Sequence, residues 1–201
     1  KLNLNIDEID KLTGPVIGRP KSATFRTSDV VGLDTLIKVA GNLFEGLQND
    51  EGRKYFKLPE VVSKMEQNKW LGDKTNQGFY KKTKNTKGET EILTLDLNTL
   101  EYKPKAKTKF ATLESTKSID NLKQRFKVLF GGKDNAGEFY RDSFFGLFQY
   151  VSNRIPEIAD ELFKIDDAVC AGFGWDLGPF ETWDAVNAEE TLSAMELAGY
   201  K

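Results

Sequence analysis

Two stretches of this chain repeat each other, and that duplication limits the fold more than any other feature. Residues 9–34 read IDKLTGPVIGRPKSATFRTSDVVGLD, and residues 165–190 read IDDAVCAGFGWDLGPFETWDAVNAEE. Both open on Ile-Asp, and Gly18 matches Gly174 at the same offset. With a one-residue gap Phe25 matches Phe180 and Asp29 matches Asp184. Each copy carries the same physical instructions. A helix ends, a glycine permits a turn with φ > 0, a proline stiffens it, a phenylalanine enters the core, and an acid caps the next helix. The separation is far too long for a stacked solenoid. It predicts two copies of one helical module joined by a linker, over residues 1–110 and 111–201.

The periodicity agrees. Ile6 to Leu12 reads as a short helix that ends at Gly14-Pro15. Ser28 reads as an N-cap, with Val30, Leu33, Ile37, Ala40, Phe44 and Leu47 recurring at three- and four-residue spacing behind it, the signature of one amphipathic helix of about five turns. Pro59 opens another helix. From Ser118, Ile119, Leu122, Phe126 and Leu129 share a face that stops at Gly131-Gly132. An aromatic helix through Phe139, Phe144, Phe145, Phe148 and Val151 follows, then one opened by Pro156 that carries Ile158, Leu162, Ile165 and Val169, and a last one over 188–199. Phe139, Phe144, Phe148, Val169, Phe180 and Trp183 are the expected core. Between Trp70 and Pro104 the pattern changes. LGDKTNQGFYKK reads as a loop, and EILTLDLNTLEYKP alternates with period two about an Asn98-Thr99 turn, a small hairpin. Lys103, Lys105, Lys107 and Lys109 read as a solvated linker. The predicted class is mainly α, with one small β insertion.

Composition removes whole classes of chemistry. The chain of 201 residues has no histidine, which excludes Ser-His-Asp and Cys-His catalysis and most transition-metal sites. The single cysteine, Cys170, cannot form an internal disulfide and reads as a buried structural thiol. A net charge of −2 gives no basic surplus for nucleic acid. No apolar run approaches the roughly 20 residues of a membrane span, and no signal peptide is evident. The expected location is cytoplasmic. No catalytic, metal-binding or cofactor-binding residue is assigned.

The glycines of GFGWDLG invite a phosphate-loop reading. Gly172, Gly174 and Gly178 give G-x-G-x-x-x-G, however, and a helical rather than a strand pattern precedes them. GGKDNAG (131–137) lacks the Gly-Lys-Ser/Thr of a P-loop. Neither is read as a nucleotide site.

Three segments in order, the first repeat, the GDKTNQGFY stretch (72–80) and the second repeat, resemble the C-terminal helical half of the 3-hydroxyacyl-CoA dehydrogenases, and in particular the long β-oxidation multienzymes with two tandem copies of that domain. The resemblance spans essentially the whole chain. It implies two modules of the 6-phosphogluconate dehydrogenase C-terminal-like type, and a fragment of a longer protein. The family's NAD-binding Rossmann domain, with its catalytic His-Glu pair, has no counterpart here, so NAD would be bound outside this chain and the chain alone would be inactive. The implied partners are the protein's own N-terminal NAD-binding domain, an acyl-CoA substrate and, in the multienzyme case, a fused enoyl-CoA hydratase.

The resemblance also implies a site. The family's first-copy turn faces the interdomain cleft, which makes Gly18, Pro20, Lys21, Ser22 and Phe25 the candidates to line the acyl-CoA site, with Lys21 placed to meet a thioester or phosphate oxygen. This copy departs from the commoner Pro-x-Gly-Pro-Phe form, carrying Lys-Ser-Ala-Thr-Phe with one extra residue. The family's functional asparagine sits in an Asn-Arg dipeptide. The second copy keeps Asn153-Arg154, here read as structural, as are Lys74, Gly78 and Tyr80. The second copy is expected to pack on the first as a dimer partner would. Two alternatives stand beside this reading: a non-enzymatic helical docking module, and the helical half of another two-domain dehydrogenase, such as a 6-phosphogluconate-type enzyme.

Overall fold

A computed structural model describes residues 2–200. The helices are α1 (Ile6–Leu12), α2 (Phe25–Val31), α3 (Leu33–Gly46), α4 (Glu60–Gln67), α5 (Ala111–Ser115), α6 (Leu122–Phe130), α7 (Asn135–Ser152), α8 (Leu162–Phe173), α9 (Pro179–Ala185) and α10 (Ala188–Leu197). Between α4 and α5 lie β1 (Tyr80–Lys84), β2 (Thr90–Leu95) and β3 (Tyr102–Pro104), an antiparallel sheet in the order β1-β2-β3. The mainly helical class is borne out.

The chain packs as two units. Residues 3–11 and 22–108 form a sheet-containing unit, and Leu12–Lys21 with 109–200 form an aromatic one. The first-copy turn is thus grouped with the helices of the second sequence half.

The sheet-containing unit is built around Ile6, Leu33, Val62, Met65, Phe79 and Leu95, with Phe25, Trp70 and Tyr102 packed against them. Its register pairs Lys82 with Ile92 and Thr94 with Lys103. The expected turn at Asn98-Thr99 is present, because the Asp96 carboxylate accepts from both their N–H groups. Lys103 and the Gly-Phe-Tyr segment differ from expectation. Lys103 lies in β3 and pairs with Asp96 at 2.5 Å, rather than in a linker. The stretch read as a loop already contains the first residues of β1, so the hairpin is a three-stranded sheet. The lysines of β1 hide its alternation.

The single five-turn helix expected after Ser28 is two helices. Gly32, at φ 98°, closes α2 by donating its N–H to Ser28 O and starts α3. Ser28 is inside α2 and caps nothing. The N-terminal donors of α2 are met instead by a distant aspartate, described below.

In the aromatic unit, α6 is capped by Asn121, whose side chain accepts from Gln124 N–H, and α7 by Asp134, which accepts from Gly137 N–H. α6 begins at Leu122, later than the Ser118 expected, and α8 at Leu162 rather than at Pro156. Phe126, Phe130, Phe144 and Phe148 interlock, Phe126 and Phe144 edge to face at 5.5 Å. The buried rings among them, Phe126, Phe144 and Phe148, each stabilise the unit by about 2–3 kcal/mol. Of the expected core, Phe144, Phe148 and Phe180 are buried, whereas Phe139, Val169 and Trp183 are only partly so. Trp183 lies flat on Phe148 at 4.9 Å, and its buried indole N–H has no acceptor among the described residues. α8 shows the largest departure. Its Leu162, Phe163 and Phe173 are 51%, 57% and 67% exposed, and Cys170 is half-buried rather than enclosed.

Candidate functional site

The candidate residues begin in a turn that folds for local reasons. After α1, Gly14 O accepts from the N–H groups of Ile17 and Arg19, and Gly18 N–H donates to Pro15 O. Gly18 closes the turn in the left-handed region at φ 67°, ψ 34°. Its counterpart Gly174 ends α8 at φ 64°, ψ 37°, with its N–H on Cys170 O. The two matched glycines adopt the same conformation, as the repeat predicts.

The first turn is held by helices distant in sequence. Arg125 of α6 donates to Pro15 O and Val16 O, both at 3.2 Å, and Tyr140 of α7 donates its hydroxyl to Leu12 O at 2.8 Å. Asp176 N–H donates to Gly18 O at 2.8 Å, so the second glycine turn is hydrogen-bonded to the first. Gly18 is buried with no space for a side chain: a Cβ there would lie 2.4 Å from Leu122 Cδ2. Pro20 and Lys21 are exposed. Arg19, between them and Gly18, lies with its guanidinium carbon 3.5 Å from the centroid of the Trp175 ring and 5.5 Å from that of Phe144. Burial pushes its pKa down to about 10.

Ser22 and Phe25 fall in the sheet-containing unit. The Ser22 hydroxyl accepts from Thr27 Oγ1 at 2.8 Å. Phe25 is half-buried and packs edge to face on Phe79 at 4.8 Å. The Asp10 carboxylate accepts from the N–H groups of Thr24, Phe25 and Arg26 at 3.1, 2.6 and 3.0 Å, and so caps α2 from fifteen residues upstream of Phe25. Asp166 does the same for α9, accepting from Phe180 and Glu181 at 2.8 and 3.0 Å. These are the two aspartates of the matched Ile-Asp pairs. The repeat contained the signal for them, although sequence reading gave them no role. Burial pushes the Asp166 carboxyl above its ordinary range, against the pull of its two N–H donors.

Of the residues read as structural in GDKTNQGFY, Gly78 and Tyr80, together with Gly72 and Phe79, enclose Asp29. Its carboxylate accepts from Phe79 and Tyr80 N–H at 2.8 Å each. A Cβ on Gly72 would lie 2.2 Å from Asp29 O, and one on Gly78 2.1 Å from Asp29 Oδ1, so only glycine lets this segment close. Tyr80 donates its hydroxyl to Asp10 at 2.7 Å, and Lys74 pairs with Asp34. Asp10, Tyr80 and Asp29 are therefore one network tying α1, α2 and β1. Burial and the nearby Asp10 push the Tyr80 phenol far above its ordinary value. Asn153 is exposed at the end of α7, and Arg154 pairs with Glu157 at 2.9 Å.

Sequence reading also missed a cleft of about 350 Å³ in the sheet-containing unit, bounded by Asn3 to Asp7, β2 and β3. Its deepest acid, Asp7, is engaged with Thr94 Oγ1 and Ala106 N–H.

The candidate residues offer backbone groups, cations and a rigid turn, but no pair of groups arranged for proton transfer. Nor do they fit a dinucleotide. Both glycine turns follow helical segments, and the sheet among the described residues is antiparallel, so no strand-turn-helix cradle for a pyrophosphate is formed.

Comparison with known proteins places these features. Residues 2–82 match the family model described as 3-hydroxyacyl-CoA dehydrogenase, C-terminal domain. A probable 3-hydroxyacyl-CoA dehydrogenase of Bacillus subtilis (strain 168) is 42% identical over 194 residues, 96% of this chain and 24% of that protein. A probable 3-hydroxyacyl-CoA dehydrogenase of Deinococcus radiodurans is 44% identical over 94 residues, 47% of this chain and 26% of that protein. A putative fatty acid oxidation complex trifunctional enzyme of Rickettsia prowazekii is 24% identical over 181 residues, 89% of this chain and 23% of that protein. The chain spans about a quarter of the length of these curated relatives. No solved structure matches. Residues 2–82 are thus similar to the 3-hydroxyacyl-CoA dehydrogenase C-terminal domain family, and nearly the whole chain is similar to a protein named for that activity.

Proposed function

We propose that this chain is the substrate-side and scaffold portion of an NAD-dependent 3-hydroxyacyl-CoA dehydrogenase of fatty-acid oxidation. The observation that carries this reading is the 42% identity to the Bacillus subtilis protein across 96% of the chain. In the whole protein a 3-hydroxyacyl-CoA is oxidised to the 3-oxoacyl-CoA. In this reading the acid-base groups and the NAD site lie outside these 201 residues, which is supported by the lack of histidine and by the helical segments that precede both glycine turns. Its own contribution is acyl-CoA contacts from Gly18, Pro20 and Lys21 in one unit and from Ser22 and Phe25 in the other. The second of two tandem copies replaces a dimer contact within one chain. The partners in this reading are the protein's own NAD-binding domain and, if the arrangement follows the trifunctional relatives, a fused enoyl-CoA hydratase. A cytoplasmic location is part of the same reading, on a single cysteine that forms no internal disulfide.

The exposed Leu162, Phe163 and Phe173 of α8 favour a second reading, a docking module without a substrate role. Titration with acetoacetyl-CoA, followed by amide NMR, separates the two. The substrate reading expects shifts in the amides of 18–25 and no turnover with NADH. Turnover by the isolated chain sinks the scaffold reading. Unmoved amides at millimolar ligand favour the docking module.

A further inference from the structure

We propose that Arg19 is an anion-receiving residue of this turn, taking a phosphate group of the acyl-CoA on the open edge of its guanidinium. The inference rests on the acyl-CoA reading above and names the part of the ligand that this residue recognises.

The argument begins with a comparison among the arginines. Arg26 pairs bidentately with Asp73, Arg53 donates to Phe44 O, Arg125 to Pro15 O and Val16 O, Arg141 to Phe130 O and Gly132 O, and Arg154 pairs with Glu157. Arg19 alone of the six has neither a side-chain hydrogen bond nor an ion pair among the described residues. Its environment makes that costly. Trp175 and Phe144 lie against the guanidinium, and the burial that lowers its pKa to about 10 is relieved by no carboxylate. Stacking on rings satisfies the faces of a guanidinium and leaves its N–H fork unused. None of the Arg19 nitrogens is a buried atom lacking a partner, so the fork reaches solvent.

The fork is also preorganised. The Arg19 backbone is fixed by its N–H bond to Gly14 O and by Gly18, whose carbonyl is held by Asp176 N–H. Pro20 restricts the chain on the other side. An anion binding here orders little that is not already ordered, which is where preorganised sites gain affinity. A planar fork matches two oxygens of a phosphate, and it is less strongly hydrated than an ammonium. Lys21, exposed two residues on, adds a second positive charge. In this arrangement the second-copy turn supplies Trp175 to hold the cation that the first copy presents.

The test uses the full 201-residue chain, the Arg19 Nε–Hε NMR signal and tryptophan fluorescence, with three probes: inorganic pyrophosphate, coenzyme A and acetyl-pantetheine, which lacks the phosphates. Pyrophosphate and coenzyme A are expected to shift the Arg19 signal, and acetyl-pantetheine is not. Arg19→Gln is expected to weaken coenzyme A binding about tenfold or more, and Lys21→Gln less. Arg19→Lys, which keeps the charge without the planar fork, guards against misfolding of the first variant and is expected to fall between them. Coenzyme A binding unchanged in both Arg19 variants overturns the assignment and leaves the acyl-CoA reading standing. Pyrophosphate binding at Arg19 with no response to coenzyme A keeps the anion site and sinks the acyl-CoA reading. Silence toward both phosphate probes overturns both.

Discussion

Asp10 and Asp166 do at a distance what a local N-cap does at a helix start. Neither sits in the sequence just before the helix it caps. Each projects from the preceding helix onto the first N–H groups of the next, and thereby fixes the angle between them. The two differ in load. Asp10 also accepts the Tyr80 hydroxyl, so its removal orphans that group as well. Asp10→Ala is expected to cost about 3 kcal/mol and Asp166→Ala about 2 kcal/mol, on the scale of charge-assisted bonds and lost caps. Urea unfolding of the two variants checks the order. A larger loss for Asp166→Ala would show that the Tyr80 link contributes nothing.

At the scale of elements, the matched turns offer an internal control. Gly18 and Gly174 share a left-handed backbone, so a side chain at either costs about 1 kcal/mol for conformation alone. Their surroundings differ. A Cβ on Gly174 meets only Pro20 Cγ at 3.6 Å, ordinary contact, whereas one on Gly18 also meets Leu122 Cδ2 at 2.4 Å and Asp176 Cβ at 2.9 Å. Gly174→Ala should therefore lose about 1 kcal/mol and Gly18→Ala at least about twice that, read by thermal unfolding. Equal losses would mean that α6 yields easily at Leu122.

The same elements show what was legible in the sequence and why. α1 was readable to the residue, because Gly14-Pro15 punctuates it locally. The matched glycines were readable because a left-handed turn demands one residue type. The break at Gly32 was not, since apolar spacing runs through it unchanged and the break is set by donors and acceptors elsewhere. β1 was hidden by Lys81, Lys82 and Lys84, which break the apolar alternation; Lys82 and Lys84 are exposed at the edge of the sheet. Of the candidate site, the turn and its glycine could be read. The stacking of Arg19 on Trp175 could not, because it joins residues from opposite ends of the chain.

At the scale of the whole molecule, the chain crosses between its two units more than once. Leu12–Lys21 leaves the sheet-containing unit, contributes to the aromatic one, and returns. Lys105, Lys107 and Lys109 lie exposed in an irregular stretch between β3 and α5, a natural site for trypsin. Nicking there should not separate the two halves. The N-terminal fragment keeps Leu12 and the Pro15 and Val16 carbonyls seated on α6 and α7, so the pieces are expected to elute together by size exclusion and to part only in denaturant. Separate elution of the nicked fragments under native conditions would show that this seating is weak.

The crossing also sets an order of events during synthesis. The hydroxyl that donates to Leu12 O belongs to Tyr140, 128 residues later. At ordinary elongation rates, on the order of ten seconds pass between the emergence of the two. Through that interval the side chain of Leu12, fully enclosed in the finished molecule, has no seat. The aromatic unit cannot close from its own contiguous residues alone, because it includes a segment made long before. A gene cut back to the second copy alone would leave that place unfilled.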